Sequence, residues 1–153
     1  MTAPLRLDVH RGTGGETETE MSLDVPSDLE YVGPAVELIA DQFRAGLPLL
    51  SPRRVRFNLR TALAEALANA IAYGNHLDPR RLVRVRVEVT RLAVHVHVTD
   101  EGGGFDPAAV PDPTRPERLE REDGRGLYVL RRLVDHVAFN DKGNSVCLTL
   151  WAG

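Results

Sequence analysis

The sequence predicts an α+β fold: a two-layer sandwich of a mixed, mostly antiparallel sheet with helices on one face. Three observations carry this. Val83, Val85, Val87 and Val89 alternate with Arg84, Arg86 and Glu88, and Val94, Val96 and Val98 alternate with His95 and His97. Each of these strands has one apolar face, as expected of a sheet covered on a single side. Three other stretches place apolar residues at helical spacing, and the blocks run strand, helix, helix, hairpin, loop, helix, hairpin.

The elements follow in order. Leu5–Val9 and Thr17–Val25 alternate on either side of a Gly-Thr-Gly-Gly cluster at 12–15, which suggests an antiparallel hairpin. Residues 1–19 are read as an N-terminal extension or the extra strand of that hairpin, and 20–153 as a single domain. Pro26-Ser-Asp reads as a helix start, and Leu29, Val32, Val36, Ile39, Ala40 and Phe43 form its buried stripe, ending near Gly46 and Pro48. Ser51 suits an N-cap and Pro52 the first helical position, where its missing N–H costs nothing. From there to Tyr73, Leu59, Leu63, Ala66 or Leu67, and Ala70 form one face. Asn58, Thr61 or Ala62, Glu65, Asn69 and Ala72 or Tyr73 form another. Gly74-Asn75 ends this helix. A Thr90-Arg91 connection makes the two valine-rich strands neighbours. Residues 106–123 are rich in Pro and charge and too long for an ordinary connection, so they are expected to form a lid loop. Gly126–Val134 is expected to be helical, with Val137–Asn140 and Ser145–Trp151 closing the fold around Lys142-Gly143-Asn144.

Composition narrows the function. A 153-residue chain with 42% hydrophobic and 27% charged residues suits one soluble domain. A net charge of −3 argues against a nucleic-acid footprint, which needs a basic face. Lys142 is the sole lysine and lacks a glycine-rich lead-in, which excludes a Walker-type phosphate loop. Cys147, the single cysteine, alternates within an apolar strand and is expected to be a small buried hydrophobe. No apolar run approaches a membrane span and no signal-peptide core is present, so a cytoplasmic protein is expected.

Three segments carry chemistry. Asp100 ends a strand and is followed by Gly102 and Gly104. An ionised carboxylate can accept the adenine amino hydrogens, and glycines beside it let backbone approach a ligand. A plain Asp-Gly turn leaving a strand fits the same residues. Gly124-Arg125-Gly126-Leu127 opens a helix, where unpaired N–H groups and the dipole favour an anion and Arg125 can add a charge-assisted contact. An exposed helix start with a surface arginine is the alternative. Glu65 and Asn69 lie one turn apart on one helix face. An amide oxygen at Asn69 suits Mg²⁺, and Glu65 can take a proton from an attacking hydroxyl. A solvated Glu and a backbone-bonded Asn explain that pair more simply when it is taken alone. Three such segments in this order favour a nucleotide site.

Glu65-xxx-Asn69, Asp100-x-Gly-x-Gly104 and Gly124-Arg-Gly126 resemble the N, G1 and G2 boxes of the GHKL (Bergerat-fold) ATPases. Within that superfamily the chain resembles the anti-sigma-factor serine/threonine kinases, through residues 59–71, through Gly124-Arg-Gly-Leu-Tyr-Val-Leu continuing to Asp135, and through Gly143-Asn-Ser-Val146. The likeness covers about residues 20–151. It implies bound ATP and Mg²⁺, with Asn69 as the metal ligand, Asp100 on adenine, and Gly102, Gly104, Gly124, Arg125, Gly126 and Leu127 around the nucleotide. It implies Glu65 as the base that phosphorylates a serine or threonine of a STAS-type anti-anti-sigma protein, a sigma factor as second partner, and a homodimer. Tyr73 stands where these kinases often carry His, Ser145 where Thr is common, and the segment before Met21 has no counterpart.

The alternative is a nucleotide-binding partner-switch protein without kinase activity. A detached histidine-kinase catalytic domain is disfavoured, because none of the five histidines lies in a phosphoacceptor helix. His95 and His97 share a strand face without a third metal ligand and are read as surface residues. Arg53, Arg54, Arg56 and Arg60 are read as a solvated helix face, with docking as a secondary idea.

Overall fold

The computed structural model describes residues 5–12, 15, 17–46, 49–103 and 122–153. Strand β1 (Asp8–Arg11) pairs with β2 (Thr17–Pro26), and helix α1 (Val32–Gly46) follows a single 3₁₀ turn at Leu29–Tyr31. Helix α2 (Arg60–Asn69) is flanked by wider π-type turns, Arg54–Leu59 before it and Ala70–Gly74 after it. Strands β3 (Leu82–Thr90) and β4 (Ala93–Thr99), helix α3 (Glu122–Leu133), and strands β5 (His136–Phe139) and β6 (Ser145–Trp151) complete the order.

The six strands lie in the order β1-β2-β3-β4-β6-β5. Every pairing among the described strands is antiparallel, so the mixed sheet that was expected is here wholly antiparallel. Register does the sorting. Met21, Val87, Val96 and Leu148 fall in one cross-strand row, and Leu23, Val85, Val98 and Val146 in the next. All eight are buried under the helices. A one-residue slip would turn every one of them outward.

The helices complete the core with Ile39, Leu59, Leu63, Leu67 and Ile71, each almost wholly buried. Their starts obey the sequence cues. Asp28 accepts the Glu30 N–H at 2.9 Å, and Ser51 Oγ accepts the Arg54 N–H at 3.2 Å. Arg54 donates to Asp135 at 2.7 Å, and Asp135 also accepts the Trp151 N–H at 2.8 Å, tying the π turn before α2 to the end of β6. Helix α3 begins at Glu122, four residues earlier than expected, so Glu122 and Asp123 belong to it and not to the lid. Gly104 and the rest of the predicted lid, 106–121, lie outside the described residues. Among the described residues no helix is long and apolar enough to cross a membrane.

Candidate functional site

A cavity of about 350 Å³ opens between the C-terminal half of α2, the end of β4, helix α3 and the β5–β6 turn. Helix α2 and its π turn contribute Ala66, Asn69, Ala70 and Tyr73, and β4 and its exit contribute Val98, Asp100 and Gly103. Leu127 and Leu130 close it from α3, and Gly143, Asn144 and Ser145 from the turn. Asn69, Asp100 and Leu127 are therefore brought together as the sequence suggested. Glu65 and Gly102 are not on this wall. Gly124, Arg125 and Gly126 lie within the first turns of α3, where the leading N–H groups lack intrahelical partners.

Asn69 is half-buried and, among the described residues, its amide makes no hydrogen bond. Glu65, one turn earlier, is also half-buried and unpaired among them. The rest of that helix face is occupied. Asn58 donates to the Leu133 carbonyl at 2.8 Å and Ala62 is buried, so α3 covers the face up to the cavity mouth.

Asp100 sits in a cradle without side chains. A Cβ placed on Gly74 would fall 2.3 Å from Asp100 Oδ2 and 2.4 Å from its Cγ. A Cβ on Gly102 would fall 1.9 Å from the Gly74 carbonyl oxygen. Both glycines are required by close approach, and Gly102 acts on Asp100 and not on the cavity: its N–H donates to Asp100 Oδ1 at 2.8 Å. The Asp100 backbone is clamped from the other side, donating to the Asn144 carbonyl at 2.9 Å and accepting from Asn144 Nδ2 at 3.0 Å. Asn140 Oδ1 in turn accepts the N–H groups of Gly143, Asn144 and Ser145, and Gly143 takes the left-handed φ of 76° that the turn needs. Burial pushes the Asp100 carboxyl above the ordinary aspartate range, against the opposing pull of the Gly102 N–H, Lys142, Arg81 and His76. Its second oxygen, Oδ2, receives no hydrogen bond among the described residues. Sequence reasoning missed Gly74 and Asn144; the Gly-Asn pairs at 74–75 and 143–144 were the available signal.

Other expectations need correction. Cys147 alternates out of the core onto the uncovered sheet face, half-buried with Sγ 3.9 Å from His97 Nε2, and burial pushes its thiol pKa up. His95 and His97 share that face, His95 Nδ1 lying 3.0 Å from Thr149 Oγ1 and His97 Nε2 3.6 Å from Glu88. Burial holds the His97 pKa below its ordinary value. Of the arginine run only Arg53 and Arg56 are exposed; Arg54 holds Asp135 and Arg60 pairs with Glu37.

The pocket fits a nucleotide on its own chemistry. One acceptor is held in a cradle any Cβ would fill, and a hard amide oxygen, without a hydrogen bond among the described residues, lines the same cavity. Among the described residues no three His, Cys, Asp or Glu side chains converge on a metal. That donor set suits Mg²⁺, which keeps waters and takes phosphate oxygens in place of a protein cage.

Comparison with known proteins agrees with this reading. The family model of the histidine kinase-like ATPase domain matches residues 25–150. An anti-sigma F factor of Geobacillus thermodenitrificans is 34% identical over 96 residues, covering 59% of this chain and 65% of the relative. The serine-protein kinase RsbW of Oceanobacillus iheyensis is 26% identical over 129 residues, 80% of this chain and 79% of the relative. The serine/threonine-protein kinase BtrW of Bordetella bronchiseptica is 25% identical over 99 residues, 63% and 70% respectively. The chain spans 65% of the length of the anti-sigma F factor it matches. A family model that covers most of the sheet and all three helices places the chain in the histidine kinase-like ATPase family.

Proposed function

We propose that this protein is an ATP-dependent anti-sigma factor that phosphorylates a serine or threonine of a STAS-type anti-anti-sigma protein and sequesters a sigma factor in the cytoplasm. The observation that carries it is the presence, in one cavity, of the cradled Asp100 carboxylate and an Asn69 amide that has no hydrogen bond among the described residues. Asp100 reads the adenine amino group, Asn69 holds Mg²⁺, and the first turn of α3, with Gly124, Arg125 and Gly126, faces the phosphates. Leu127 and Leu130 supply apolar cover. Bound Mg²⁺ would neutralise charge on the phosphate oxygens during transfer. Glu65, one turn from Asn69 and without a partner among the described residues, takes the proton of the attacking hydroxyl. That oxygen then forms its bond to the γ-phosphorus as the bond to ADP breaks. A homodimer is part of the proposal on family likeness.

The test is transfer of label from γ-labelled ATP to the STAS-type protein encoded beside this gene. Label on a serine or threonine of that protein is expected. Tight nucleotide-dependent binding without transfer would instead establish the second reading, a nucleotide-binding switch that lacks kinase activity.

A further inference from the structure

We infer that Asn75 is a positioning residue for base recognition: it holds the Asp100 segment in register with the end of α2, and so sets the preference for adenine over guanine. The inference rests on Asp100 as the adenine acceptor. Asn75 is the one wholly buried polar side chain at the site, with no exposed surface, yet it does not line the cavity. Its amide is fully employed. Nδ2 donates to Ser27 Oγ at 3.0 Å and to the Leu82 carbonyl at 3.1 Å, while Oδ1 accepts the Glu101 N–H at 2.8 Å. One side chain therefore joins four segments: the end of α2's π turn, the β2–α1 junction, the start of β3 and the residue after Asp100.

The backbone around it is arranged to deliver that amide. The Asn75 N–H closes the wide turn on the Ala70 carbonyl at 2.8 Å, and the next two residues, His76 and Leu77, both adopt left-handed φ values of 52° and 56°. Two consecutive non-glycine residues there are uncommon and persist only when the surroundings over-determine them. Gly74, immediately before, is the residue against which the Asp100 carboxylate packs. Contact at Gly74 and the hydrogen bond at Glu101 thus hold Asp100 from two sides, both from the same helix end that carries Asn69. Without the Asn75 oxygen the Glu101 N–H is orphaned, and the loop loses the tether that holds the residue after Asp100.

The experiment compares dissociation constants for ATP and GTP, each with Mg²⁺, by calorimetry on the full chain. The variants are wild type, Asn75→Ala, Ser27→Ala and Asp100→Asn, with melting temperatures measured alongside. Ser27→Ala removes a neighbouring hydrogen bond and leaves the Glu101 tether, so it should lower stability and keep the wild-type GTP/ATP ratio. Asn75→Ala should reduce that ratio by about tenfold or more, because a misplaced carboxylate loses its charge-assisted hydrogen bond to the adenine amino group. If Asn75→Ala does not fold, Asn75→Ser, whose hydroxyl is too short for the tether, takes its place with the same expectation. An unchanged ratio in whichever Asn75 variant folds overturns the inference. So does an equal fall in Ser27→Ala, which would make the effect one of general stability. Asp100→Asn reports on the underlying reading separately. If it leaves the base preference intact, the assignment of Asp100 itself fails.

Discussion

Replacing Gly74 by Ala is the sharpest perturbation of the site, because local and tertiary terms act with opposite sign. The residue sits in a helical turn, where Gly→Ala ordinarily stabilises by roughly 0.5–1 kcal/mol. Here the new methyl would lie 2.4 Å from Asp100 Cγ and 2.9 Å from its Cβ. Carbon atoms rest comfortably at about 3.5–4.0 Å, so the carboxylate or the helix end must move by about 1 Å. Asp100 cannot simply swing aside. Its Oδ1 holds the Gly102 N–H, a bond whose net worth is about 1 kcal/mol, and Gly102 is itself pressed on the Gly74 carbonyl. Overpacking of this kind costs about 1–3 kcal/mol; with the Oδ1 bond of about 1 kcal/mol also lost and the local gain of roughly 0.5–1 kcal/mol set against both, the net effect is a loss of about 2 kcal/mol. In a domain of this size that lowers the melting temperature by about 4–8 °C. Losing the acceptor's hydrogen bond to the base, worth about 1.5–3 kcal/mol, should also weaken ATP binding by about ten- to a hundredfold. Scanning fluorimetry and titration calorimetry on the purified variant measure both. A raised melting temperature with wild-type ATP affinity would show that Asp100 does not need the bare Gly74 surface, and the cradle argument would fall.

Further outcomes concern the remaining site residues. Asn69→Ala should bind ATP without the extra melting shift that Mg²⁺ gives the wild type; an unchanged magnesium-dependent shift would remove the metal role. ATP affinity should fall on acidification at pH values above the ordinary aspartate 3.8, because burial raises Asp100 and only its ionised form accepts from adenine; Asp100→Asn should lose this dependence. Without nucleotide the sign reverses: between 3.8 and the raised folded value the folded chain holds the extra proton, so this group's contribution to stability declines as pH rises through that window. Glu65→Gln should keep ATP affinity and lower phosphotransfer by about 10²–10⁴-fold, and wild-type turnover would reassign the base.

Much of this molecule is written in short-range patterns. The alternation of Val83–Val89 and Val94–Val98 forced both the strands and the face they bury, and Ser51-Pro52 marked the α2 start that Ser51 Oγ caps. Asn69, Asp100 and Leu127 were legible as candidates because they fall in three separate motif segments, and the fold brings those segments to one cavity. What escaped was set by tertiary contact. Gly102 looked like a ligand-facing glycine but is consumed by Gly74, and Gly74 with Asn75 looked like a helix stop, although its carbon and its amide brace Asp100. The π turns escaped because periodicity over five or six residues does not separate them from an α-helix. The start of α3 was placed at its glycines, whereas Glu122 and Asp123, acidic residues suited to a first turn, precede them. Cys147 was assigned by the company of its strand and not by its parity, which turns it away from Val146 and Leu148.

Titration of the folded, full-length chain with ATP and with ADP in the presence of Mg²⁺ addresses the pocket itself. A saturable heat with one nucleotide per chain for both ligands, weakened in Asp100→Asn, is expected. The absence of any heat with either nucleotide would contradict the assignment of this cavity as an adenine nucleotide site.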